Sequence, residues 1–183
     1  MQTLKEKYIK EIRPTLQKEL GLSSSEATPK ITKITVNTSS KDFKTDKELL
    51  AKTKDWMSKI TGQIVSERRS KSAIAAFNLR ENEIVGLKVT LRGDRMYDFF
   101  QKLVTIVLPR LKDFQGVSRT TFDKTGNYSL GLVEQIVFPE VEYDKIGRIQ
   151  GLQITVSTSA SDAASAEKLL EVLGMPFTKK EAK

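Results

Sequence analysis

The sequence predicts an α+β domain: an antiparallel sheet with helices packed on one face and the other face open. Three observations point there. In Val85-Gly-Leu-Lys-Val-Thr-Leu-Arg92, Val85, Leu87, Val89 and Leu91 alternate with Lys88, Thr90 and Arg92, the period of a strand with one buried face. In Ile31-Thr-Lys-Ile-Thr-Val-Asn37, Ile34 and Val36 oppose Lys33, Thr35 and Asn37 in the same way. Around these strands, apolar residues recur at helical spacing, with no internal repeat and no low-complexity linker, so helices and one-sided strands alternate loosely.

The elements follow in order. Thr3 and Glu6 have the spacing of a capping box, Leu4, Tyr8, Ile12, Leu16 and Leu20 form one stripe, and Gly21 ends the helix. Residues 22–29 read as a loop before the first strand. Thr45 and Glu48 repeat the capping pattern ahead of Leu49, Leu50, Thr53, Trp56, Met57 and Ile60, with a stop at Gly62. Trp56 lies on that stripe and is expected in the core. A short strand over Gln63 to Arg69 leads into residues 70–83, which lack clean periodicity and read as a long mobile loop with a basic start. After the Val85 strand, Arg92-Gly93-Asp94 turns into a helix carrying Met96, Phe99, Phe100, Leu103, Val107 and Leu108. A break or kink is expected at Pro109. Tyr128 to Phe138 reads as a strand interrupted by Pro139. Leu152, Ile154 and Val156 alternate with Gln153, Thr155 and Ser157 as the last strand. A final helix starts near Ser161 and closes at Gly174.

Composition narrows the function. The chain has 183 residues, 38% of them hydrophobic, enough for a single domain spanning 1–183 with a sizeable core. It has no cysteine and no histidine, which removes disulfides, thiolate metal sites, a cysteine nucleophile and the usual general base near neutral pH. No apolar run approaches the roughly 20 residues of a membrane span, and the N-terminus has no signal-peptide pattern, so a cytoplasmic protein with no membrane partner is expected. No homo-oligomer is expected either.

The net charge is +8, and it is not spread evenly. Residues 1–92 carry 19 Lys or Arg against 11 Asp or Glu, while residues 93–183 carry 12 of each. The whole excess thus falls in the half with the two clearest strands, as a polyanion-binding surface requires.

Catalytic apparatus is missing from the pattern. There is no phosphate-binding glycine loop. Glu140, Glu142 and Asp144 alternate and would place carboxylates side by side on a strand, but a solvated edge or a protein-docking rim explains them better than a metal site. Ser70-Lys71-Ser72 is too short a match to count as a Ser-Lys pair. The chain reads as noncatalytic, with no cofactor and no metal.

The outward residues Lys33, Thr35, Asn37, Lys88, Thr90 and Arg92 include no aromatic and no carboxylate. Single-strand readers stack bases on aromatic rings, so this face suits folded RNA read through phosphates, 2′-hydroxyls and shape. A structural protein bound to folded RNA, a free-standing RNA-binding regulator or assembly factor, and a protein-interaction scaffold with a merely solvating basic face all fit the pattern.

Five ordered motifs add a resemblance: Lys88-Val-Thr-Leu-Arg-Gly-Asp-Arg-Met-Tyr97-Asp-Phe-Phe, Leu108-Pro-Arg-Leu-Lys-Asp-Phe-Gln-Gly116, Gly126-Asn-Tyr-Ser-Leu-Gly131, Glu134-Gln-Ile-Val-Phe-Pro-Glu140 and Tyr143-Asp-Lys145. With Gly174-Met-Pro-Phe177 and the first-helix pattern, the chain resembles the bacterial form of ribosomal protein five of the large subunit over nearly its whole length. The resemblance implies a structural protein of the ribosome that binds 5S rRNA in the central protuberance, beside 23S rRNA and neighbouring proteins. By position, Asn37, Gln63 and Thr90 match family residues on the open sheet face, with Lys33, Thr35, Lys88 and Arg92 around them. Residues 72–80 match a loop that reaches peptidyl-site tRNA, with Lys71, Ser72, Phe77 and Arg80 as its candidates. Arg110, Lys112, Asp113, Glu134 and Glu140 fall in regions that face a protein of the small-subunit head across an intersubunit bridge. The chain also departs from the family. Thr38-Ser-Ser-Lys-Asp42 stands where a glycine-containing segment is usual, Gln115 and Gln150 occupy frequently basic positions, and Lys124-Thr125 replaces a common Gly-Arg pair.

Overall fold

The structure, a computed structural model, describes residues 3–178; Lys179, Lys180, Glu181 and Lys183, counted above, lie outside them. The fold is α+β, with five strands in one antiparallel sheet: β1 (Ile31–Ser39), β2 (Ser66–Arg69), β3 (Ile84–Leu91), β4 (Tyr128–Leu132) and β5 (Leu152–Thr158). The order across the sheet is β2-β3-β1-β5-β4. The chain divides into two compact units. Among the described residues, unit one comprises 3–34, 92–130 and 155–178, and unit two comprises 35–91 and 131–154.

In unit one the first helix begins at Leu4, where the Thr3 hydroxyl accepts from the Glu6 N–H at 3.3 Å. Its middle, Tyr8–Ile12, widens to a π-helical turn before Arg13–Glu19 resumes the α form. The widening sits just ahead of Pro14, which has no N–H to donate. The third helix repeats this device. Asp94–Lys102 passes into a π turn at Leu103–Val107 and then into a 3₁₀ turn at Leu108–Arg110. The break expected at Pro109 is therefore displaced: Leu108 stays helical, because the wider turn absorbs the missing donor and ring clash, and the chain becomes extended only at Leu111. Met96, Phe99, Phe100, Leu103, Val107 and Leu108 are all buried, as their spacing predicts. The last helix runs Ala163–Val172, with Asp162 as its cap.

Unit two is built on the second helix, Lys47–Thr61. Its cap is Asp46, whose carboxylate accepts from the Leu49 N–H at 2.8 Å, while Thr45, the predicted cap, instead donates its hydroxyl to the Asp42 carbonyl at 3.2 Å. The carboxylate is the better acceptor and sits at the three-residue spacing a cap needs. Gly62 ends the helix with φ of 63°, a left-handed conformation that costs glycine nothing. Leu49, Leu50, Trp56, Met57 and Ile60 are buried on its inner stripe.

Two strand boundaries differ from the sequence pattern. The strand expected over Gln63 to Arg69 pairs only at Ser66–Arg69. The strand expected to reach Phe138 ends at Leu132, and Gln135–Val137 is a 3₁₀ turn. The reason is Gln135, a fully buried amide: its NH2 donates to the Arg148 carbonyl at 2.7 Å and its oxygen accepts from the Gln150 N–H at 2.6 Å. These bonds fold residues 133–150 back on themselves instead of extending β4. Residues 142–145 form another turn, so Glu140, Glu142 and Asp144 do not line a strand edge.

Candidate nucleic-acid interface

Register decides which side chains of unit two share a face. β2 and β3 pair antiparallel with Ser66 opposite Lys88, Glu67 opposite Leu87 and Arg68 opposite Gly86. Leu87, Val89 and Leu91 are buried, and Glu67 on their side forms an ion pair with Lys54 of the second helix. That side is the helix-covered one. Lys88, Thr90, Ser66 and Arg68 therefore point the other way, and alternation in β1 sets Thr35 and Asn37 opposite the buried Val36 and Thr38.

Gly86 brings β3 close to β1: a Cβ built there would sit 3.2 Å from the Thr38 carbonyl and 3.6 Å from Ser39 Cβ. Asn37 donates its amide N–H to the Gln153 amide oxygen at 3.4 Å. Gln63 donates to the Thr90 carbonyl at 3.3 Å, so it buttresses the end of β3 and leaves the Thr90 hydroxyl for another partner. Lys88, Thr90, Thr35 and Asn37 are half-buried, with their polar tips on a surface held by strand pairing. Thr38 Oγ1 donates to the Gly151 carbonyl at 2.8 Å, and Ser40 caps the following 3₁₀ turn at Asp42. The segment lacking the family's glycines thus takes its shape from hydroxyl bonds.

Charge is sorted between the two faces. Glu67 is held below the ordinary carboxylate range by the Lys54 hydrogen bond, and its burial only partly opposes this. Asp42 pairs with Arg148 at 2.6 Å, Glu48 with Lys52 at 2.6 Å and Asp55 with Lys59 at 2.7 Å. Among the described residues, neither Lys88 nor Arg68 has a carboxylate within ion-pair distance. The cations of this face remain available to an external anion.

The other predicted residues fall elsewhere. Lys33 and Arg92 are exposed and belong to unit one. There the Ser129 and Thr155 hydroxyls hydrogen-bond at 3.3 Å, and Thr32 donates to the Ser157 carbonyl at 3.0 Å. Lys71, Ser72, Phe77 and Arg80 are exposed in unit two, on a lobe with its own turn structure: Ile74 and Leu79 exchange backbone hydrogen bonds of 2.9 and 3.1 Å, and Ser70 donates to Glu83 at 2.9 Å. Arg110, Lys112 and Asp113 are exposed in unit one, Glu134 is exposed in unit two, and Glu140 there is half-buried. The described residues include no cluster of three or more His, Cys, Asp or Glu side chains placed to hold a metal.

Sequence reasoning missed Ser66, Arg68 and Gln153 on the face of unit two. Gln153 was readable from its alternation with Leu152 and Ile154. Arg68 was not, because Ser-Glu-Arg-Arg has no apolar residue to mark its inner side. Gln150, at a position often basic in the resembled family, is buried and accepts from the Thr53 hydroxyl at 3.3 Å, so a charge there would have no solvent.

Comparison with known proteins decides the family. Residues 26–80 match the family model for ribosomal protein L5, and residues 84–177 match the model for the C-terminus of the same ribosomal family. The chain belongs to the ribosomal protein L5 family. It is 49% identical over 179 residues to proteins named large ribosomal subunit protein uL5 from Dictyoglomus turgidum and from Dictyoglomus thermophilum, covering 98% of this chain and 100% of each relative. As a member of this family it is a structural component of the ribosome and not an enzyme. No helix among the described residues is long and apolar enough to cross a membrane.

Proposed function

We propose that this chain is a noncatalytic constituent of the large ribosomal subunit that docks on 5S rRNA in the central protuberance through its open sheet face. Asn37, Thr90, Thr35 and Gln63 supply positioned polar groups and Lys88 a phosphate partner; Lys33 and Arg92, exposed in unit one, are separate candidates for phosphate contacts. The observation that carries this reading is the sorting of charge: carboxylates are paired away from the face, and its cations are left without carboxylate partners. Folded RNA fits a face of cations, hydroxyls and amides without aromatic rings, because phosphates and 2′-hydroxyls need donors and not stacking platforms. In the same reading, the lobe carrying Lys71, Ser72, Phe77 and Arg80 touches peptidyl-site tRNA. Arg110, Lys112 and Asp113, and separately Glu134 and Glu140, meet a protein of the small-subunit head, and 23S rRNA and neighbouring proteins complete the surroundings.

Two substitutions test it. Asn37→Ala is expected to weaken 5S rRNA binding by about 1 to 3 kcal/mol, roughly 5- to 150-fold, with little change for an unrelated RNA. Lys88→Ala is expected to weaken both RNAs and to reduce the slope of log affinity against log salt by about one unit. Equal losses for both RNAs in Asn37→Ala would remove Asn37 from the reading residues.

A further inference from the structure

Beside the lobe, unit two holds a pocket of about 310 Å³ bounded by Lys41, Lys44, Phe77, Leu79, Ile84 and Val85. Its walls are of two kinds. Phe77 is 74% exposed, the most exposed aromatic ring among the described residues, and Leu79, Ile84 and Val85 are half-buried beside the same space. Two ammonium groups stand at its edge, and among the described residues no carboxylate lines it. Lys41 is exposed, while Lys44 donates to the Asn78 carbonyl and so ties the lobe down over the pocket. The turn that presents Phe77 is set by Asn78, at φ of 49°, and by the paired bonds between Ile74 and Leu79.

An apolar occupant would make no use of the ammonium groups at the edge, and a simple anion would leave the ring and the three aliphatic side chains wet. A planar base joined to a phosphate satisfies both walls. The volume is at the lower end for a ligand site, the size for one nucleotide and not for a stacked run. We propose that this pocket accepts a single unstacked base of an RNA strand, its ring against Phe77, Leu79 and Ile84 and its phosphate beside Lys41. Stacking on an exposed ring is tolerant of base identity, so the pocket selects an unpaired nucleotide and not a sequence. The inference rests on the reading of this chain as RNA-bound, and it gives the lobe a mode of binding different from that of the sheet.

The test is methyl NMR on the full chain with labelled Leu, Ile and Val, titrated with adenosine 5′-monophosphate, uridine 5′-monophosphate and ribose 5-phosphate. Both nucleotides are expected to move the Leu79, Ile84 and Val85 methyl signals, and ribose 5-phosphate to move them at least tenfold more weakly. Phe77→Ala, at an exposed position that leaves folding intact, is expected to weaken the nucleotide effect about tenfold, and Phe77→Trp to retain it. Equal response to all three compounds would overturn base insertion and leave a phosphate contact only. No response to any of them would also overturn it, leaving the pocket to an apolar side chain of a neighbouring protein. A 5S rRNA titration of the same sample separates this from the ribosomal reading. Binding of 5S rRNA without base-dependent shifts contradicts the pocket alone, and base-dependent shifts without 5S rRNA binding contradict the ribosomal reading alone.

Discussion

On the sheet face of unit two, Asn37, Lys88 and Thr90 are half-buried and set by strand register; on the lobe of the same unit, Lys71, Ser72 and Phe77 are exposed and set by a few turn bonds. The two surfaces carry similar polar groups and cations but differ in how much ordering remains to be done on binding. Immobilising a rotamer-rich side chain at an interface costs about 0.5 to 1.5 kcal/mol, and the sheet has met much of that cost in folding. In the proposed function, such a prepared face suits a permanent RNA partner whose shape does not change. The lobe's exposed side chains remain to be ordered, which in the proposed function suits a partner that arrives and leaves.

If register is what prepares the sheet, damage beneath it should be severe. Leu87 lies between Gly86 and Lys88 and is 1% exposed, so Leu87→Ala is expected to destabilise the protein by about 2 to 5 kcal/mol. Thermal unfolding checks this. A shift in melting temperature no larger than that of a surface variant would mean the face is not supported from below.

A smaller effect separates the edge of the sheet from the lobe. The Lys54 hydrogen bond holds the Glu67 carboxyl below its ordinary value, so this pair stabilises the protein above the carboxyl's unfolded pKa. The contribution is lost as pH falls through the lower folded value. Acidification is therefore expected to speed hydrogen exchange at β2 amides before it affects the lobe, and Glu67→Gln to remove that acid dependence. The smallest effect belongs to Phe77→Ala, which should change folding stability by no more than about 0.5 kcal/mol, measured by denaturant titration. A larger loss would show the lobe to be part of the core.

The legibility of these regions in the sequence follows the same division. β1, β3 and β5 were visible because one side of each is apolar, and the Trp56 helix because its stripe is continuous. The lobe lacks periodicity since its turns rest on Asn78 and Asn82 at positive φ and on backbone bonds, neither of which leaves a hydropathy pattern. Gln135 escaped notice because a buried amide reads as polar until its two partners, Arg148 and Gln150, are placed around it. Pro109 misled because the π turn that accommodates it has no separate signature. The family motifs pointed to a ribosomal protein; the unpaired state of Lys88 and Arg68 emerged only from the ion pairs of their neighbours.

The most direct test of the central claim is a salt-dependent titration of the intact protein against 5S rRNA and against a transfer RNA of similar charge. The sheet-face reading predicts at least a tenfold preference for 5S rRNA, about 1.4 kcal/mol, maintained as salt weakens both. Equal affinities with a common steep salt slope would contradict it, reducing the face to a generic basic surface.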